Sequence, residues 1–251
     1  MPKNKFDIAV DHALVTTPSE DKHFLFESAL FLRQRRLISF KLLTQHFRSL
    51  PRDALITAVR LLPHLDKQRA GSTLVSVLRW SRVPLVQLET AKTLATLDRR
   101  TTAELLISCL PREKSANVRY WMAYTIGCLG DPVACELLLG MLEDNREQVK
   151  VRSQAAEALG YILLKIGKKT NLYRRSLKTL IGMLGDSHAE IRFWTAFALG
   201  NIKAKSAVKR LDGLAKCDRA MCPGFWRVSV EAADAIRVIK GQEWPDRSPK
   251  R

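Results

Sequence analysis

The chain has 251 residues, 46% of them hydrophobic and 27% charged, with 42 Lys and Arg against 25 Asp and Glu for a formal charge of +17. This composition supports a folded, strongly basic protein and argues against disorder. No stretch of 18 or more apolar residues is available to span a bilayer, and nothing after Met1-Pro2-Lys3-Asn4-Lys5 reads as the apolar core of a signal peptide. The five cysteines (Cys109, Cys128, Cys135, Cys217 and Cys222) are scattered without a Cys-x-x-Cys pair, so neither a disulfide framework nor a zinc ribbon is expected, and a cytoplasmic setting fits best.

In chain order, Thr17-Pro18-Ser19-Glu20 reads as a capping box opening a helix through Phe24, Phe26, Leu30 and Phe31, and residues 39–47 as a second helix. Residues 1–52 are therefore expected to form a divergent helical cap. Beyond them a pattern recurs. Val118-Arg119-Tyr120-Trp121-Met122-Ala123-Tyr124-Thr125-Ile126-Gly127 is matched in register by the segment from Val151 to Gly160 and by that from Ile191 to Gly200. Weaker copies start at Asp53, Val86 and Val228, giving spacings of 33, 32, 33, 40 and 37 residues. Apolar residues at the first, sixth and ninth positions make one helical stripe, and the recurrent alanine at the sixth lets neighbouring helices approach closely. A second apolar helix follows or precedes each copy, at residues 73–78, 103–110, 134–142, 177–184 and 207–214. Between the two, Gly130-Asp131-Pro132 supplies a stop, an N-cap and a first-turn proline, and Thr101-Thr102-Ala103-Glu104 reads as a capping box. Gly160 and Gly200 fit either inside or at the end of their helices. A two-helix unit of this length cannot bury its apolar face alone, so the copies are expected to stack. The expected fold is all-α, a helical-repeat solenoid of about six helix pairs over residues 53–240, with a disordered basic tail over 241–251.

The pattern Val-Arg-x-x-x-Ala-x-x-Leu-Gly, preceded in one copy by Asp186-Ser187-His188-Ala189-Glu190, resembles the HEAT-like repeats of the phycocyanobilin lyase type over residues 83–240, and more weakly over 53–82. The resemblance implies a fold rather than an activity, because such scaffolds serve many uses. It also implies that Arg119, Arg152 and Arg192 pair with an acidic residue of the preceding turn, forming a ladder between repeats; Glu113, Asp144 and Asp186 lie in those turns.

No catalytic constellation stands out. The histidines (His12, His23, His46, His64 and His188) are not spaced as metal pairs, and no His-Glu dipeptide occurs, so the iron chemistry of deoxyhypusine hydroxylases, also HEAT-like, is not supported. Gly-x-Ser-x-Gly, Gly-x-x-x-x-Gly-Lys and Gly-x-Gly-x-x-Gly are absent, as is any recognisable active-site motif of the HEAT-like alkylpurine DNA glycosylases. No cofactor or metal is expected. Cys217 and Cys222 lie near Lys216 and Arg219, cations of the kind that lower a thiol pKa, although incidental thiols are the simpler reading.

Two constellations bear on binding. Trp121 and Trp194 occupy the same position of two copies, with Ser153 and Gln154 in the copy between them, and are candidate aromatic contacts. From Ala158 to Leu211 there are eleven basic residues against Asp186 and Glu190 alone, a local charge of +9. Lys168, Lys169, Arg174, Arg175 and Lys178 cluster around the start of one second helix, and Lys203, Lys205, Lys209 and Arg210 around the start of the next. Cations at helix N-termini oppose the helix dipole at a cost of about 0.3–1 kcal/mol each, so these clusters point to an anionic partner. A basic run of Arg33, Arg35, Arg36, Lys41, Arg48 and Arg52 adds to the positive surface.

The leading expectation is a non-enzymatic scaffold or adaptor binding an acidic protein partner through a basic groove. A second reading is a nucleic-acid binding protein that contacts phosphates, and a third, from the resemblance, a bilin lyase-type enzyme or chaperone. Oligomeric state is not legible.

Overall fold

A computed structural model describes residues 40–246. The expected capping box at Thr17 and its helix, Arg33, Arg35 and Arg36 of the basic run, and the last residues of the expected tail lie outside them. The described residues form twelve α-helices: α1 Phe40–His46, α2 Arg52–Leu65, α3 Lys67–Trp80, α4 Pro84–Leu94, α5 Arg99–Cys109, α6 Ala116–Leu129, α7 Cys135–Glu143, α8 Val149–Ile162, α9 Asn171–Met183, α10 Ala189–Asn201, α11 Val208–Cys217 and α12 Val228–Ile239. All six copies of the sequence pattern are helices, namely α2, α4, α6, α8, α10 and α12. The only extended pairing among the described residues is one antiparallel bridge between Met221 and Arg227.

The chain divides into two compact units between Leu105 and Leu106, within α5. In the first, Ala58, Leu62, Leu74, Leu78, Val86, Ala91 and Leu94 are buried between α2, α3 and α4. Arg60 on α2 donates to Glu89 on α4 at 3.0 and 2.6 Å, tying two pattern helices together.

In the second unit the pattern helices pack directly on one another through small residues. A Cβ built on Gly127 would stand 3.0 Å from Ala158, one on Gly160 2.8 Å from the Cα of Ala198, and one on Gly200 3.0 Å from the Cα of Ala235. Gly160 and Gly200 are thus internal helical residues, required by the backbone approach of the next helix. The helices between them differ: Gly140, Gly182 and Gly213 face open space.

Helix ends follow local chemistry. Gly130 ends α6 at φ 62°, Asp131 accepts from the Val133 amide at 3.0 Å, and Pro132 opens a short 3₁₀ turn. The Thr101 capping box is not used, because α5 already begins at Arg99; Asp98 is the cap, accepting from the Thr101 amide at 2.9 Å. Thr170 caps α9 by accepting from the Tyr173 amide at 3.1 Å. Of the expected disordered tail, residues 241–246 are described, and Trp244 packs on Gly200 and on the ring of Phe197 with centroids 5.1 Å apart.

Candidate protein-interaction surface

The ladder arginines sit at the fourth residue of their helices, where each guanidinium reaches two connections at once. Arg119 and Arg192 each donate from Nη1 to two backbone carbonyls of their own preceding turn, those of Glu113 and Lys114, and of Asp186 and Ser187, at 2.8–3.0 Å. Their other edge binds the carboxylate of the following turn: Arg119 to Glu147 at 2.6 and 2.7 Å, Arg152 to Asp186 at 2.8 Å, and Arg192 to Asp218 at 2.7 and 3.2 Å. The ladder therefore runs forward, opposite to the expected pairing with the preceding acid. The reason is local. Glu113 and Asp186 each use an oxygen to accept from the backbone amide two residues on, at 3.0 and 2.9 Å, which orients them within their own turns.

The ladder gives a pH dependence. Burial raises the Asp186 pKa, but hydrogen bonds from His188 and the charge and hydrogen bond of Arg152 outweigh it, holding the carboxyl below its usual range. A carboxyl depressed in the folded state contributes stability that is full above its unfolded value of about 4 and fades as pH falls through the lower folded value. Thermal melts below about pH 4 are expected to show a loss of stability that is smaller in Asp186→Asn, which lacks the titrating group.

The lysines lie at the opposite ends of the pattern helices. Asn201 near the end of α10 donates to the Gly160 carbonyl near the end of α8 at 3.0 Å, so the two helices run side by side and their outgoing connections share one edge. Lys168 and Lys169 precede α9 on that edge, and Lys203, Lys205 and Lys209 surround the start of α11. All are exposed, and neither helix has an acid in its first turn. Lys178 is exposed one turn beyond Arg174 on α9. The arginines of the two clusters are engaged: Arg175 binds Glu136 at 2.8 Å and Glu143 at 3.4 Å, Arg174 donates to Asn171 at 2.6 Å, and Arg210 donates to the Ile181 carbonyl at 2.9 Å. The clusters thus separate into exposed arginines that hold polar partners, Arg175 and Arg210 on neighbouring helices and Arg174 on its own, and lysines that face solvent.

Lys203 holds a positive φ of 54°, the position at which Gly130 ends α6. A left-handed non-glycine residue is strained by about 1–3 kcal/mol. Lys203→Gly is expected to raise stability by about 1 kcal/mol in chemical denaturation; an unchanged or lowered midpoint would contradict the strain.

The aromatic residues gather on the pattern-helix face. Trp121 meets Tyr120 and Tyr124 edge-on at 5.0 and 5.7 Å, and Trp194 meets Phe193, Phe197 and Phe225 at 5.4, 5.7 and 5.0 Å. Both tryptophans are half-buried. The long connection before α12 adds Phe225 and Trp226, folding back so that Cys222 and Val228 close a core with Phe193. Burial pushes the Cys222 thiol up to about 12, assisted by Glu190 and Glu231, so the neighbouring cations do not activate it. Residues missed in sequence are Glu157, Tyr161, Phe197 and Phe225, which share this face. Aligning the seventh position of the copies, Tyr124, Glu157 and Phe197, would have exposed the column.

Among the described residues no helix is long and apolar enough to cross a membrane, and no three His, Cys, Asp or Glu side chains are grouped to hold a metal. No curated protein sequence matches the chain. A family model described as HEAT repeats matches residues 71–160. Among solved structures, the complex of CpcE and CpcF of phycocyanin lyase from Nostoc sp. PCC7120 is similar at 19% identity and a TM-score of 0.58, over 67% of this chain and 98% of that one. A designed armadillo repeat protein in complex with the peptide (KR)4 is similar at 17% identity and a TM-score of 0.50, over 78% and 98% of the two chains. At these identities the likeness is one of fold. The chain has an all-α helical-repeat fold, and its residues 71–160 match HEAT repeats.

Proposed function

We propose that the protein is a non-enzymatic scaffold that binds an acidic segment of a partner protein along the lysine edge. One observation carries this reading: Lys168, Lys169, Lys203, Lys205 and Lys209 are exposed at two adjacent helix starts, without a carboxylate in either first turn. The placement is locally unfavourable, and Lys203 adds backbone strain. An anionic partner relieves the first of these costs and gives the second a use. The arginines of the same clusters are also exposed but already hold bonds, Arg174 to Asn171 of its own helix, Arg175 to Glu136 and Glu143, and Arg210 to the Ile181 carbonyl, so the reading rests first on the lysines.

The test compares a twenty-residue glutamate-rich peptide with duplex DNA, for the full chain and for the variant Lys168→Glu/Lys169→Glu/Lys203→Glu/Lys205→Glu. Calorimetric titration is expected to show peptide binding by the natural chain, and binding weakened by about a hundredfold or more in the variant, given about 1 kcal/mol for each reversed charge. The melting temperature should change little, because the four side chains are exposed. DNA binding in preference to peptide, with log affinity falling against log salt by about 0.9 per phosphate neutralised, would favour the nucleic-acid reading instead. A bilin role, which rests on the likeness to phycocyanin lyase, predicts an absorbance change on mixing with phycocyanobilin.

A further inference from the structure

The pattern-helix face carries the carboxylates Glu157 and Glu190. The seventh pattern positions on α6, α8 and α10 are Tyr124, Glu157 and Phe197, brought side by side by the glycine–alanine contacts of these helices. Tyr161, one turn beyond Glu157, is 40% exposed and lies 5.9 Å from the Phe197 ring. Glu157 is half-buried, and its hydrogen bond is to a neutral group, from the Gln154 side chain to Oε2 at 2.7 Å. The groups around it are Tyr120, Tyr124, Cys128 and Tyr161, each of whose pKa values rises, chiefly by burial and in part through the Glu157 charge. The next carboxylate, Glu190, likewise bonds a neutral group, the Ser153 hydroxyl, at 2.8 Å.

A carboxylate flanked by aromatic rings in a protein of charge +17, and bonded among the described residues to no lysine or arginine, is chemically complete once a cation joins it: the charge is neutralised and the rings attract the cation. We propose that the face of α6, α8 and α10 receives one cationic side chain, an arginine or lysine of a partner's extended segment, with Glu157 as its counter-charge and Tyr124 and Tyr161 as its aromatic walls. Charge complementarity selects this occupant over an acidic or purely apolar one. Burial also pushes the Glu157 pKa up, against the weaker lowering by Gln154, so the ionised carboxylate costs the fold stability at neutral pH. A residue that lowers stability and sits on a partly exposed aromatic face is of the kind retained for binding. The site uses none of the lysine-edge residues, so it stands or falls independently of the acidic-partner reading.

The experiment is an amide NMR titration of the full chain with capped Gly-Arg-Gly and with the same peptide carrying norleucine in place of arginine. Saturable shifts are expected at Cys128, Glu157 and Tyr161 with the arginine peptide, at least about tenfold weaker with norleucine. Glu157→Gln should weaken binding by about tenfold while melting at the same or a higher temperature, and Tyr161→Leu, which keeps an apolar side chain there, should weaken it severalfold. Equal binding of the two peptides, shifts confined to other helices, or undiminished binding by Glu157→Gln would overturn the proposal.

Discussion

Arg152→Met is expected to destabilise the protein by about 3–5 kcal/mol, the cost of removing one partner from a buried ion pair. The Arg152 and Asp186 side chains are 5% and 9% exposed, the most buried pair of the ladder. Methionine keeps much of the volume but leaves the Asp186 carboxylate without its cation, and the Leu142 carbonyl without the donor that reaches it at 3.0 Å. Both effects fall between two successive repeats, so protection from hydrogen exchange should drop most in α8 and the turn before α10. Adding Asp186→Asn should recover part of the loss, because the uncompensated charge is then gone. The contrasting case is Arg175, whose pairs with Glu136 and Glu143 join side chains that are all more than a third exposed. Arg175→Ala is expected to cost no more than about 1 kcal/mol. Equal effects at Arg152 and Arg175 in chemical denaturation would contradict the division between structural ladder and surface pair.

Gly160→Ala and Gly213→Ala are expected to act in opposite directions although the chemical change is the same. In a helix, alanine is favoured over glycine by about 1 kcal/mol. At Gly213 the new methyl meets open space, so a gain of about 0.5–1 kcal/mol is expected. At Gly160 it would stand 2.8 Å from the Cα of Ala198, a backbone atom that moves only if α10 moves. Overpacking of this kind costs about 1–3 kcal/mol and exceeds the helical gain. A shift of α8 away from α10 would also stretch the Asn201 to Gly160 hydrogen bond at the lysine edge. Urea unfolding midpoints read the sign directly, and a stabilised Gly160→Ala would mean that the helices are not in contact there.

The helices and their order were legible because the Ala and Gly of the pattern record a steric need, the close approach of one pattern helix to the next. The direction of the arginine ladder was not. The acid of the preceding turn, Asp186 or Glu113, lies six residues before Arg192 and before Arg119, a spacing that invites a local pair. Those acids are oriented by amides in their own turns, and the guanidinium reaches the following turn instead. The Thr101 capping box failed for a similar reason: Asp98, three residues earlier, had already begun the helix. The basic clusters were visible as composition, yet the sequence did not separate Arg175 and Arg210, which reach back to α7 and α9, from the lysines facing solvent. The aromatic face was half-visible in Trp121 and Trp194. Its carboxylate went unnoticed because Glu157 lies among Ala155, Ala156 and Ala158 in sequence and beside Tyr124 of the preceding copy only in space.

The scaffold reading is tested most directly by zero-length carbodiimide coupling, which joins lysine amines to carboxylates in contact, applied to the protein bound in nuclease-treated lysate of its native cell. The account predicts crosslinks from Lys168, Lys169, Lys203 and Lys205 to glutamates or aspartates of one partner segment, and their disappearance together with the captured partner when the four lysines are reversed to glutamate. Capture of the same protein by the reversed variant, or crosslinks that avoid this edge, would contradict it.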